Sequence, residues 1–370
     1  VKFWNLSDPM SGNNLVRLSA CLSLVCTIRP ARGFLQFSNS INPKVLLRYQ
    51  GRLLSQFHSR REIVYRTSLL HSRGIQKRST TMAECSTLVS CEWLHENLDK
   101  VSILDASWYL PAMQRDAVKE FSERRIPGAF FFDIDKVSDT ESPWPHMMPS
   151  PATFAKCCAD FGISRGSHVV VYDGKGVFSS PRAWYMFKAM GHPKVSILDG
   201  GFPRWASLAL PVDSESKSVD AISANQAAYS CEIQKGTILD MAQVEANIAS
   251  KEFQLIDGRP KPRFVGEAPE PRPIESGHIE GSYSVPFLDV LKPDGSFKDE
   301  AELKQVFADA KVDLSQPCAV TCGSGVTACV VRAALEVVGV REAPLYDGAY
   351  TEWKTTGKPT YKGLDKSPYA

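Results

Sequence analysis

At 370 residues, 43% of them hydrophobic and 23% charged, the chain is long enough for about two folded domains. Its formal net charge of +2 argues against nucleic acid or an anionic membrane as the main partner. No uninterrupted apolar run approaches the roughly 20 residues needed to span a bilayer.

The first segment stands apart from the rest. From Val1 to Thr81 there are thirteen Lys or Arg residues, scattered serines and only two acids, Asp8 and Glu62. Arg-rich, Ser-rich and acid-poor is the composition of an organellar transit peptide, which predicts a mitochondrial location. A disordered basic tail is the alternative. Met82 offers a start for a shorter, cytosolic form. Residues 1–82 are therefore set aside as a leader.

The remainder is written twice. Ile103–Asp105 matches Leu255–Asp257, and Arg125–Ala129 matches His278–Ser282. Val169–Val177 lines up with Ala319–Val326, so that Asp173 falls opposite Cys322, Gly174 opposite Gly323 and Gly176 opposite Gly325. Leu198–Trp205 matches Tyr346–Trp353. Four landmarks in the same order predict a duplicated domain of about 125 residues. The expected boundaries are 86–213 and 237–362, joined by a Ser- and Ala-rich linker at 214–236.

Within each copy, short β-type runs alternate with helical stretches. In the second copy, Phe253–Ile256, Cys318–Thr321 and Ala343–Tyr346 read as strands. Val326–Val338 reads as a helix, apolar on most sides and stopped by Gly339. This alternation is the α/β pattern: a mainly parallel sheet flanked by helices.

The ten cysteines form no CxxC pair and no framework spacing, which fits free thiols in a reducing compartment. One of them is placed for chemistry. Cys322 ends a predicted buried strand and is followed by Gly323-Ser324-Gly325-Val326-Thr327 and then a helix. In open α/β sheets, sites form beyond the carboxyl ends of strands. Glycines at 323 and 325 let the backbone curl into an anion-binding nest, and the helix start adds its positive dipole end. The hydroxyls of Ser324 and Thr327 can donate further hydrogen bonds. Such a loop stabilises a thiolate or a persulfide. A buried Cys before an ordinary Gly-rich turn is the plainer reading. The aligned loop of the first copy carries Asp173 and no thiol, which predicts one active and one inactive half. A Cys-based phosphatase would need Cys-x5-Arg, but the sixth residue after Cys322 is Ala328.

The segment Cys322–Ala328 resembles the active-site loop of the 3-mercaptopyruvate sulfurtransferases, a branch of the rhodanese family. Thiosulfate sulfurtransferases, the close relatives, carry basic residues after the Cys where this chain has Gly323 and Ser324. The likeness runs from about Val89 to Gly357. It includes Phe132–Asp135, His146–Pro149, Glu270–Arg272 and, toward the plant branch, Asp105–Pro111. The resemblance implies two tandem rhodanese domains, only the second catalytic, with the site at the cleft between them. It also implies that Arg263 and Arg272 hold the donor's carboxylate and keto oxygen, a task for which the guanidinium fork is suited. Asp135 and His146 would complete a Cys-Ser-His-Asp arrangement with Cys322 and Ser324. Gly323, Gly325, Val326 and Thr327 would line the donor site. Without the resemblance, Arg263, Arg272 and His146 read as surface residues of Pro-rich loops. The implied reaction moves sulfur from 3-mercaptopyruvate through a Cys322 persulfide to a thiol such as reduced thioredoxin, or to cyanide. It needs no metal or organic cofactor, and no Cys/His cluster has metal-ligand spacing. The alternatives are a thiosulfate:cyanide sulfurtransferase and a non-catalytic rhodanese-like binding module.

Overall fold

The computed structural model describes residues 85–214 and 229–370. The basic leader, with Met82, and positions 215–228 of the expected linker lie outside the described residues.

The first half runs β1 (Leu88–Val89), α1 (Cys91–His95), β2 (Ser102–Asp105), α2 (Ala117–Glu123), β3 (Phe130–Phe131), α3 (Pro151–Asp160), β4 (Val169–Tyr172), α4 (Ser180–Ala189), β5 (Val195–Leu198) and α5 (Gly201–Ser207). The second runs β6 (Ile238–Leu239), α6 (Met241–Ser250), β7 (Gln254–Asp257), α7 (Lys261–Phe264), β8 (Tyr283–Ser284), α8 (Glu300–Asp309), β9 (Cys318–Thr321), α9 (Ala328–Val337), β10 (Leu345–Tyr346) and α10 (Ala349–Thr355). The strand orders are β1-β5-β4-β2-β3 and β6-β10-β9-β7-β8, so the two sheets share one topology. All pairings within both sheets are parallel.

The duplication extends to single side chains. Trp205 and Trp353 are both buried, and each indole N–H donates at 2.8 Å to a carbonyl six residues on, Pro211 and Pro359. Arg125 bridges to Asp213 just as His278 bridges to Tyr361.

The central strands Val-Val-Val-Tyr (β4) and Cys-Ala-Val-Thr (β9) are buried at every position. That is the signature of a parallel strand covered on both faces. The helices that follow them are enclosed as well, although α4 carries Ser180, Arg182 and Lys188. Nine of the ten residues of α4 and eight of the ten of α9 are buried. The two helices pack on each other, so a single core cluster passes from one sheet to the other. The loops leaving β4 and β9 are thereby held by one shared core.

Candidate active site

Cys322 follows directly on β9 and is 2% exposed. Its carbonyl accepts from the N–H of Tyr350, and the Gly323 carbonyl accepts from the N–H and hydroxyl of Thr351, so the start of α10 clamps the loop from behind. Gly325 has φ +77°, in the left-handed region. A Cβ there would also come within 3.1 Å of Arg182 Nη1. Among the described residues, nothing accepts from the N–H groups of Gly323, Ser324, Gly325, Val326 or Thr327.

The matching loop of the first half shows what such a loop holds. There the Asp173 carboxylate accepts from the N–H groups of Lys175 (3.0 Å), Phe178 (2.9 Å), Ser179 (3.0 Å) and Ser180 (2.9 Å). The Ser180 hydroxyl adds a fifth bond at 2.7 Å. A resident anion thus fills the first loop from the position that Cys322 occupies in the second. Backbone donors converging on one point favour negative charge there.

Around Cys322 stand groups from both halves. Arg272 is half-buried; burial disfavours its charge, while Cys322, Glu270 and Asp135 lie near enough to oppose that effect. Arg263 reaches Glu270 at 3.3 Å. Glu270 in turn binds Arg259, a fully buried arginine that also forks onto Asp257 at the end of β7. The Arg259 guanidinium lies 3.7 Å from the centre of the Tyr350 ring. A Cβ on Gly323 would be 4.0 Å from both Arg259 Cδ and Glu270 Oε2, which sets this network beside the Cys322 loop. Arg259 carries no role in the sequence reading. Its signal was its place two residues after a strand-ending Asp.

From the first half, His146 Nδ1 approaches Asp135 Oδ1 at 2.8 Å, within ion-pair range. Neither ring nitrogen of His146 makes an aligned hydrogen bond among the described residues. Burial works against the ionised Asp135; the His146 contact, a hydrogen bond from Trp108 and the charge of Arg272 outweigh it, so the carboxyl sits below its ordinary range. His146 has φ +60°, a conformation that a non-glycine residue holds only with outside support. The support is Arg182 of α4, whose Nη2 donates to the His146 carbonyl. Its Nη1 bonds Asp347 Oδ1 at 2.7 Å and the Gly325 carbonyl at 3.5 Å. Asp347 returns across the boundary to accept from the Met148 N–H at 2.6 Å. One buried ion pair therefore ties the His146 turn to the Cys322 loop.

A model of the rhodanese-like domain matches residues 90–208 and again 240–356. The chain belongs to the rhodanese family. It is 43% identical over 283 residues to the 3-mercaptopyruvate sulfurtransferase of Rattus norvegicus, covering 74% of this chain and 94% of that protein. It is 39% identical over 308 residues to the mitochondrial thiosulfate/3-mercaptopyruvate sulfurtransferase 1 of Arabidopsis thaliana, covering 77% and 81%. The crystal structure of SseA from Escherichia coli, a 3-mercaptopyruvate sulfotransferase, superposes with a TM-score of 0.64 at 35% identity, covering 72% of this chain and 99% of that one. The chain is accordingly an enzyme of the sulfurtransferase class, built from two rhodanese domains.

The first rhodanese domain has its own buried acid beside the Asp173 loop. Burial pushes the Asp105 carboxyl up to about 7, against hydrogen bonds from Ser107 and Tyr172, and nearby Asp173 adds to the rise. In the unfolded chain the group ionises near 3.8, so between that value and about 7 the folded state holds the extra proton. Its contribution to stability is complete below the lower value and is lost as pH rises through the upper one. Asp105→Asn, which mimics the protonated form, is expected to gain on the wild type by about 2–4 kcal/mol as pH is raised from about 4 to 8. Urea unfolding of both proteins across that range checks this; a difference that does not move with pH would contradict it.

Proposed function

We propose that this sulfurtransferase moves the sulfur of 3-mercaptopyruvate, through a persulfide on Cys322, to a thiol or cyanide acceptor and releases pyruvate. The observation that carries the reading is the pair of loops. Asp173 supplies a fixed anion to one nest, and in the other a cysteine stands in the same place before five backbone N–H groups with no acceptor among the described residues. A thiolate, and then a terminal persulfide, are the anions this cysteine can present.

The thiolate of Cys322 attacks the donor's sulfur, and the carbon–sulfur bond breaks. Its electron pair leaves on the carbon fragment as the enolate of pyruvate. The proton first carried on the sulfur ends on that carbon, giving pyruvate. Arg263 and Arg272 face the carboxylate and the keto oxygen, where the enolate's charge develops. Ser324, 7% exposed, belongs to the same loop as Cys322. His146, oriented by Asp135, carries the proton. An acceptor thiolate such as that of reduced thioredoxin then attacks the outer sulfur, takes it as a new persulfide and returns Cys322 as thiolate. Gly323, Gly325, Val326 and Thr327 form the wall around the transferred sulfur. The Arg- and Ser-rich leader and the mitochondrial Arabidopsis relative support a mitochondrial location.

The test is kcat/KM of the full chain for 3-mercaptopyruvate and for thiosulfate with a common acceptor. The neutral Gly323-Ser324 pair and the two arginines predict a preference of tenfold or more for 3-mercaptopyruvate, about 1.4 kcal/mol in transition-state binding. Arg272→Ala is expected to lower kcat/KM for 3-mercaptopyruvate by about a hundredfold, in line with loss of a charged hydrogen-bond partner. A preference for thiosulfate would leave the sulfurtransferase and overturn the donor.

A further inference from the structure

The Asp135–His146 pair is half open to solvent on the Asp135 side, whose side chain is 56% exposed. An exposed carboxylate rotates freely unless its second oxygen is also held. Here Asp135 Oδ1 faces His146, and Oδ2 accepts from the indole N–H of Trp108 at 2.9 Å. The same indole meets the His146 ring edge-on, with centroids 4.7 Å apart and an interplanar angle of 83°. One side chain therefore touches both partners, and holds the acid by a bond and the imidazole by a T-shaped ring contact.

Trp108 is itself anchored. Its backbone N–H donates to Ser179 Oγ at 3.0 Å, and that hydroxyl donates to the Ala106 carbonyl at 2.7 Å. Its ring stacks on Phe178 at 6.3 Å. Phe178 and Ser179 are two of the residues whose N–H groups bind the Asp173 carboxylate. The loop of the first domain that lacks a nucleophile thus forms a rigid floor beneath the indole.

We infer that Trp108 is a positioning residue that sets the Asp135–His146 pair for proton transfer, and that the Asp173 loop, in place of a second active site, serves as its platform. The inference rests on the proposed role of Asp135 and His146. It gives the first domain a task in catalysis beyond supplying those two residues. Trp108 itself holds the pair and takes no proton.

The experiment is a double-mutant cycle on the full chain with 3-mercaptopyruvate as donor, using Trp108→Phe, Asp135→Asn and the double variant. Trp108→Phe keeps an aromatic ring, though a smaller one, and removes the N–H donor. It is expected to lower kcat about 10- to 100-fold, with KM changed less than about threefold, because orientation of a proton carrier is lost while donor binding is not. Removing the bond that helps to keep Asp135 ionised should also shift the acidic limb of the kcat/KM profile to higher pH. In the Asp135→Asn background the same substitution should cost less than about twofold, since the ionised carboxylate that the indole positions is gone even though an amide oxygen can still accept from it. A Trp108→Phe penalty that persists undiminished in that background would overturn the inference and assign the indole to simple packing. If Asp135→Asn and His146→Gln both leave the rate unchanged, the proton-carrier reading falls and takes the inference with it. If Asp135→Asn slows the reaction while Trp108→Phe does not, the reading stands and only the inference fails.

Discussion

Cys322→Ser is expected to abolish sulfur transfer, with kcat/KM reduced by at least about a thousandfold, while the protein stays folded. Serine keeps the unbranched shape of cysteine with a smaller terminal atom, and its hydroxyl oxygen can accept from the N–H groups of the enclosed loop, so the substitution alters the core little. A serine hydroxyl is not ionised near neutral pH and cannot carry a second sulfur atom as a persulfide. A melting temperature within about 3 °C of wild type would show that the fold is intact. Mass spectrometry after a single turnover without acceptor locates the sulfur. The extra mass of one sulfur atom should sit on Cys322 in the wild type and be missing in the variant. Cys318 and Cys329 are the nearest competitors in sequence. Burial pushes their thiols up, Cys318 to about 11 and Cys329 to about 12, which keeps both protonated. Sulfur found on either of them, or a variant with near-normal turnover, would remove Cys322 from the mechanism.

Arg182→Met is expected to cost about 3–5 kcal/mol of stability and to lower kcat as well. Arg182 and Asp347 are 0% and 2% exposed at the side chain, so loss of the guanidinium strands a carboxylate in the core. Two separate carbonyls lose the guanidinium at the same time: that of His146, held at positive φ, and that of Gly325 in the Cys322 loop, which keeps only the Cys329 thiol as donor. Stability and catalysis should then separate in Arg182→Met/Asp347→Leu. Removing the stranded charge is expected to restore part of the unfolding free energy, because an apolar pair often replaces a buried ion pair at little cost. The rate should stay low, since neither carbonyl regains the guanidinium. Urea unfolding and steady-state kinetics on the two variants decide this. Full recovery of both quantities in the double variant would confine the ion pair to a structural role.

The loop bearing Cys322 was legible because its logic is local. A short strand-like run ahead of Cys322, two glycines and a helix start lie within fifteen residues, and the backbone freedom of glycine is a property of the residue itself. The strands Phe253–Ile256 and Cys318–Thr321 were expected within about a residue of where β7 and β9 lie. The expected helix Val326–Val338 begins two residues early, because Val326 and Thr327 still belong to the nest. The last expected strand, Ala343–Tyr346, shrinks to Leu345–Tyr346 beside the short edge strand β6.

By itself, then, the sequence determined the duplicated α/β plan, the cysteine that ends a buried strand, and the exchange of that cysteine for Asp173 in the other copy. Each follows from residue type and spacing, which the chain carries whatever it touches. Only the tertiary structure decided which charges are buried and with whom. Arg182 and Asp347 are 165 residues apart in sequence, and Arg263 and Arg272, surface charges by composition, lie in the electrostatic surroundings of Glu270 and Cys322. Trp108 is one aromatic among many until Asp135 is folded against it. The energy of such pairs depends on distance and on exclusion of water, and both are set by how α4 and α9 pack into one core.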